Sequence, residues 1–163
     1  MISKKMEKAI NDQINAELYS AYLYLSMAAY FDSTNLSGFS AWMKVQANEE
    51  YKHAMKFYGH ITDRLGTVTL KAIDGPKTSW KSPLDAFENV FEHEQKVTGL
   101  INNLVEIAAQ EKDNAAFVLL QWYVNEQVEE EKSADEIVQI LKRIKDSSQG
   151  LIMLDRELAK RGS

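Results

Sequence analysis

Four long stripes of apolar residues run along this chain, with successive members three or four positions apart. That spacing keeps side chains on one face of an α-helix, so each stripe predicts a long helix with one buried face. A shorter stripe, made by Leu151, Leu154 and Leu158, follows near the end of the sequence. We therefore predict an all-α fold, a four-helix bundle with a short fifth helix, formed as a single domain by residues 1–163.

Capping residues indicate the approximate ends of the helices. Ser3 is a suitable N-cap for the first helix, and Ser82-Pro83 places a cap before proline at the first helical position of the third. Gly66 is a suitable C-terminal glycine for the second helix. The predicted helices cover about residues 3–32, 37–65, 83–112, 114–145 and 147–160.

The connection between the second and third helices determines the topology. The links within the two helix pairs on either side of it are short, which implies antiparallel neighbours, whereas the segment from Gly66 to Ser82 could span roughly 55 Å when extended. A helix of the second stripe's length is roughly 43 Å long, so this segment can cross the whole bundle. We therefore predict one long crossover, with the second and third helices parallel.

The composition excludes several classes of protein. A formal net charge of −5 and a pI of about 5.3 provide no basic surface for nucleic-acid phosphates. The absence of cysteine excludes disulfide scaffolds, thiolate zinc sites and iron–sulfur clusters. The first residues lack the apolar run of a signal peptide, and no apolar stretch reaches membrane-spanning length. We expect a cytoplasmic protein that binds neither nucleic acid nor membrane.

Each of the four long stripes is interrupted near its middle by a glutamate. The four residues are Glu17, Glu50, Glu94 and Glu130. Each lies about three to five turns from the predicted start of its helix, so all four can meet at one height in an up-and-down bundle. A buried carboxylate costs several kcal/mol unless it is paired or metal-bound, and no Lys or Arg lies nearby in these stripes. The sequence therefore predicts a buried metal centre.

The side chains around these glutamates narrow the choice of metal. Glu50 and His53 lie one turn apart on the same helix face, and Gln127 lies one turn before Glu130. Carboxylates with one imidazole suit iron or manganese, whereas a structural zinc site would usually contain more Cys or His. Glu-x-x-His spacing is common by chance in helices, but together with acids on three other helices it is a specific signal.

At these residues the chain resembles the ferritin family, in particular its bacterial non-haem members, over essentially its whole length. The resemblance is carried by the segments 15–19, 49–54, 92–94 and 125–130. It implies a ferritin-like bundle that oxidises Fe(II) with O₂ or H₂O₂ and stores Fe(III) as a mineral. It also implies a hollow shell of 24 identical subunits, with the fifth helix at the four-fold contacts.

The resemblance implies roles for individual residues. Glu17, Glu50 and His53 would bind one iron of a two-iron ferroxidase centre, and Glu50, Glu94 and Glu130 would bind the other.

Further residues are implied around this centre. Gln127 would help to position oxygen or water, and Tyr24 would donate an electron or a hydrogen bond, although an aromatic residue in such a stripe is as often part of the core. Three flanking acids resemble the ligands of a third iron that shares Glu130; they are Glu49, Glu126 and Glu129.

The chain also departs from related families. Ser133 stands where bacterioferritins and rubrerythrins have a second Glu-x-x-His histidine, and Lys52 replaces the methionine that binds bacterioferritin haem, so we expect no haem. Eukaryotic ferritins line a three-fold pore with acids where this chain has Phe117 and Leu120, a difference that argues against that entry route for iron.

Several alternatives remain open from the sequence. The glutamates could form a polar network that fixes helix register. The chain could instead be a diiron carboxylate enzyme that stores no iron, a helical interaction protein, or a twelve-subunit starvation-type ferritin, although the last lacks a C-terminal helix. The other two histidines are expected in the core or an interface (His60) and on the ordinary surface (His93).

Overall fold

The computed structural model describes residues 1–161, which form five helices. They are α1 (Lys4–Ser33), α2 (Ser37–Asp63), α3 (Pro83–Gln110), α4 (Asn114–Ile144) and α5 (Ser148–Leu158). The predicted fold class is confirmed, and the predicted helix ends differ from these by no more than two residues. None of the helices formed by residues 1–161 offers a stretch of the length and apolarity that a bilayer crossing requires.

The pairing of the helices follows from two apolar clusters at opposite ends of the bundle. One cluster joins the C-terminal half of α1 and the N-terminal half of α2 to the N-terminal half of α3 and the C-terminal half of α4. The other joins the four remaining halves. Within each hairpin the helices are therefore antiparallel, while α2 and α3 run parallel, as the long connection predicted.

The crossover lies along α1 and is held there by polar side chains. Asn11 donates to the carbonyl of Thr67 at 3.0 Å and accepts from the N–H of Thr69 at 2.7 Å. Further along α1, Ser26 donates to the carbonyl of Lys77 at 2.7 Å. These bonds satisfy backbone groups of a segment that has no secondary structure of its own.

The end of α2 departs from the sequence prediction. Leu65, not Gly66, adopts the left-handed conformation, with a φ of 59°. A Cβ atom on Gly66 would lie 2.8 Å from Glu7 Oε2 and 2.9 Å from side-chain carbons of Ile2 and Ile61. Gly66 is therefore needed for close packing against α1 and the N-terminus, and the left-handed turn is made one residue earlier.

The buried stripe of α3 is also rotated from the predicted one. The three-and-four spacing predicts that Phe91, Thr98 and Val105 lie on the buried face of α3, but these residues are only partly buried. Their places in the core are taken by residues one position earlier, which are Val90, Val97 and Leu104. The reason is that α3 packs against both α4 and α1, so its buried face lies between two partners.

The N-terminus of α2 is capped by α5. Leu36 occupies the N-cap position and has no capping side chain. Instead, Oδ1 of Asp155 accepts hydrogen bonds from the N–H groups of Gly38 at 2.8 Å and Phe39 at 3.1 Å. Gly38 permits this approach, because a Cβ atom there would overlap the backbone of Asp155. The fifth helix is therefore fixed to the bundle by polar bonds as well as by Leu154 and Leu158.

We expect Asp155→Ala to destabilise the protein by about 1–2 kcal/mol, because it removes the only side-chain cap that residues 1–161 give to α2. Chemical unfolding followed by circular dichroism would measure this loss. Glu157→Ala, which changes an exposed acid on the same helix, is the control. Equal stability of the two variants would contradict the capping role.

Candidate metal centre

A layer of polar side chains separates the two apolar clusters. The four glutamates and His53 lie in this layer, with exposed fractions between 1% for Glu17 and 7% for Glu130. Helical periodicity places them there, because each continues the apolar stripe of its own helix. Each of the four long helices therefore contributes one buried carboxylate to the middle of the bundle.

The carboxylates form two groups that share one member. Glu17, Glu50 and His53 each offer a ligand atom within 4.8 Å of the others, and so do Glu50, Glu94 and Glu130. Two metal ions could thus be held side by side, with Glu50 between them. Three side-chain ligands for each ion, most of them carboxylates, leave coordination positions open for water or a small oxidant.

Two glutamine side chains orient the carboxylates. Gln13 donates to Oε1 of Glu17 at 2.8 Å, and Gln46 donates both to Oε1 of Glu50 at 3.0 Å and to Oε2 of Glu130 at 2.7 Å. An amide directs a carboxylate without neutralising its charge. These two glutamines were not predicted to belong to the site, although each lies four residues before the glutamate of its own helix, a spacing that predicts contact.

Glu94 is held by residues predicted to lie beside the centre. The hydroxyl of Tyr24 donates a hydrogen bond to Oε1 of Glu94, and Gln127 donates to Oε2 at 3.1 Å. Burial raises the pKa of Glu94, and these two hydrogen bonds oppose the rise. Tyr24 is thus in contact with a candidate ligand, although it also packs in the core cluster.

His53 contacts acids through both ring nitrogens. Nδ1 lies 3.4 Å from Oε2 of Glu50, and Nε2 lies 3.8 Å from Oε1 of Glu126. Its backbone carbonyl accepts a hydrogen bond from the Tyr123 hydroxyl at 2.7 Å, and the Trp122 ring packs edge-on against the imidazole. These contacts restrict the ring to one orientation at the edge of the centre.

The pKa values of the buried carboxylates are raised by their burial and by their closeness to one another. Burial, followed by the neighbouring Glu50, raises the pKa of Glu17. The pKa of Glu50 is raised by burial and then by Glu94 and Glu130. Burial and then Glu94 raise the pKa of Glu130 to about 7. A cation that binds here must therefore displace protons.

The donor set fits a divalent cation. Oε2 of Glu17 is buried and has no hydrogen-bond partner within residues 1–161. Glu17 belongs to the group formed with Glu50 and His53, so an ion bound by this group could supply the missing partner. Carboxylates with one imidazole suit iron or manganese, as the sequence indicated.

The three flanking acids are not gathered into one cluster. Glu126 joins His53 and Glu130 in a third group of potential ligands. Glu49 instead pairs with Arg161 at 2.5 Å, and Glu129 is exposed. A third ion at these acids would thus require Glu49 to leave its present partner.

The prediction that His93 is an ordinary surface residue is wrong. Its Nε2 lies 2.7 Å from the hydroxyl oxygen of Ser20, and its ring packs against Tyr19 and Tyr24. Burial lowers the pKa of His93 to about 4. The reason is that this face of α3 is covered by α1, which α3's own apolar pattern does not reveal. His60 is half-buried, and its Nε2 lies 3.2 Å from Nη1 of Arg64. It belongs to none of the groups of potential metal ligands within residues 1–161.

Comparison with known proteins agrees with this geometry. A family model described as a ferritin-like domain matches residues 7–144. A bacterial non-heme ferritin of Bacteroides fragilis (strain 638R) is 47% identical over 161 residues, covering 99% of this chain and 100% of that protein. The bacterial non-heme ferritin of Staphylococcus aureus (strain USA300) is 40% identical over 161 residues, covering 99% and 97%.

Solved structures agree with this result. An open-pore ferritin from the hyperthermophilic archaeon Archaeoglobus fulgidus is 56% identical, superposes with a TM-score of 0.98 and covers 99% of both chains. A form of that ferritin engineered to be closed has the same identity and TM-score, covering 99% of this chain and 98% of the other. The chain therefore belongs to the ferritin family.

Proposed function

We propose that this protein stores and detoxifies iron in the cytoplasm, oxidising Fe(II) at the carboxylate layer and holding Fe(III) as a mineral inside an oligomeric shell. The observation that carries the proposal is the pair of ligand groups sharing Glu50. Membership of the ferritin family, whose curated relatives are named as non-heme ferritins, supports iron as the metal.

In the proposed reaction, Fe(II) is the substrate. Glu17, Glu50 and His53 bind one ion and Glu50, Glu94 and Glu130 bind the second, which brings two one-electron donors together. O₂ accepts one electron from each ion and, with two protons, leaves as H₂O₂. Alternatively, H₂O₂ itself accepts both electrons and two protons and leaves as two water molecules. Carboxylates stabilise Fe(III) and still exchange, so the oxidised ions can move on to the mineral.

Tyr24 and Gln127 act beside the metals in this proposal. Both donate to Glu94, so they fix the direction of its two oxygens. A third iron position at Glu49, Glu126 and Glu129, sharing Glu130, is also part of the proposal.

An exposed apolar groove supports assembly into a homo-oligomer. It has a volume of about 490 Å³ and lies between α1, α2 and the crossover. Tyr22, Leu25 and Ile73 line it and are 49%, 51% and 39% exposed. Apolar patches of this kind mark interaction surfaces. We propose a shell of 24 subunits, as the family resemblance implies.

Aerobic loading with excess Fe(II) tests the function. We expect a soluble brown product that elutes with the protein at the mass of a large shell and contains far more than three irons per subunit. Binding that stops at two or three irons per subunit would indicate a diiron enzyme without storage. Oxidation no faster than in a protein-free control would reject the catalytic role.

A further inference from the structure

Arg161, which follows α5, brings a positive charge against α2. Its Nη2 atom lies 2.5 Å from Oε2 of Glu49, and its guanidinium carbon lies 4.2 Å from the centre of the Trp42 ring. The side chain is 26% exposed. Stacking on the indole ring restricts the guanidinium to this position.

The hydrogen bonding of this guanidinium is incomplete. Its Nη1 atom is buried and has no hydrogen-bond partner within residues 1–161. A buried donor without an acceptor raises the free energy of the arrangement. The pair with Glu49 is also partly exposed, and such pairs contribute little net stability. This contact is therefore weak enough for another cation to displace it.

Arg161 also lies beside the metal centre. Glu49 precedes Glu50, which is shared by both metal-binding groups. The charge of Arg161 acts on Glu130 as well as on Glu49. Glu126 offers an oxygen close to ligand atoms of His53 and Glu130. One guanidinium thus pairs with the acid next to Glu50 and acts on Glu130, which shares a potential ligand group with Glu126.

We propose that Arg161 is an internal competitor for a further metal ion. While Arg161 pairs with Glu49, this carboxylate cannot bind a metal ion. The positive charge of Arg161 also repels a third metal ion near Glu130. When the pair opens, Glu49 becomes a ligand together with Glu126 and Glu130. Arg161 is a positioning residue, and it sets how readily a third ion binds beside the first two. The inference rests on the proposed function of the centre and deepens it.

Titration of the metal-free protein with Co(II), followed by calorimetry and by the visible spectrum of the bound ion, tests this. The unsubstituted protein is expected to bind two ions tightly and a third weakly. In Arg161→Gln the third ion should bind roughly tenfold more tightly, which corresponds to about 1.4 kcal/mol. Adding Glu49→Gln to that variant should cancel the gain, because it removes the released ligand.

The control is Arg156→Gln, which removes the same charge from an exposed position on α5. Should Arg161→Gln fail to assemble, Arg161→Met keeps an unbranched apolar side chain against Trp42 and takes its place. An unchanged third affinity, or a gain that survives Glu49→Gln or also occurs in Arg156→Gln, would overturn the inference. Failure of all variants to bind the first two ions would reject the proposed function instead.

Discussion

Glu50→Ala and His53→Ala should each slow Fe(II) oxidation by roughly 100-fold or more while leaving the shell assembled. Glu50 belongs to both ligand groups, so its loss leaves neither ion with a complete set. His53 is the one nitrogen ligand in these groups. Initial rates of ferric absorbance under excess O₂ would measure the effect, and light scattering would confirm assembly.

Matched controls separate a ligand role from a general disturbance of the helices. His60→Ala removes a histidine from the same helix, and Glu106→Ala removes an exposed acid from α3. Both should oxidise Fe(II) at the unsubstituted rate. Unsubstituted rates in the Glu50 or His53 variants would remove these residues from the mechanism.

The metal-free protein should lose stability as the pH rises from about 5 to 8. Glu130 has a pKa of about 7 in the folded protein against 4.5 for an ordinary glutamate. The folded state therefore holds its proton more strongly, and the stabilisation present below the ordinary pKa disappears as the pH passes the raised one. This one group accounts for about 3 kcal/mol per subunit. The raised pKa values of Glu17, Glu50 and Glu94 act in the same direction.

Equilibrium unfolding with a chelator present, at several pH values, would measure this slope. Glu130→Gln should reduce this slope by the contribution of Glu130 and be at least as stable as the unsubstituted protein at pH 8, because a neutral side chain needs no counter-ion. Glu106→Gln, at an exposed position, should leave the slope unchanged. Added Co(II) should restore stability at pH 8. Stability that increases toward pH 8 without metal would show that the carboxylates are satisfied by the protein itself.

The bundle and the convergence of the glutamates could be predicted because both depend on helical periodicity. A glutamate in an apolar stripe is buried wherever the stripe is buried. Predicting that the four glutamates meet therefore required only the correct pairing of the helices. The crossover length supplied that pairing. The roles of these residues in catalysis stay a prediction, and the experiments above test it.

Other features depend on contacts that no local pattern encodes. Asp155 caps a helix whose first residues lie 117 positions earlier in the chain. His93 was misassigned because its burial comes from α1 rather than from α3. The pair of Arg161 with Glu49 likewise joins residues 112 positions apart. Such contacts appear only when the helices are placed in space.

Gln13, Gln46 and Gln127 donate to the buried carboxylates through neutral amides, so they leave the negative charge of this layer uncompensated. Lysine or arginine at these positions would have neutralised the carboxylates and removed the electrostatic attraction for metal ions. With neutral donors, four carboxylates balance two divalent ions. In the proposed reaction, oxidation of both ions would add two positive charges that the four carboxylates do not balance, so hydroxide or oxide would accompany the ferric ions when they leave. In that reaction the neutral amides would favour release of the oxidised ions over their permanent retention.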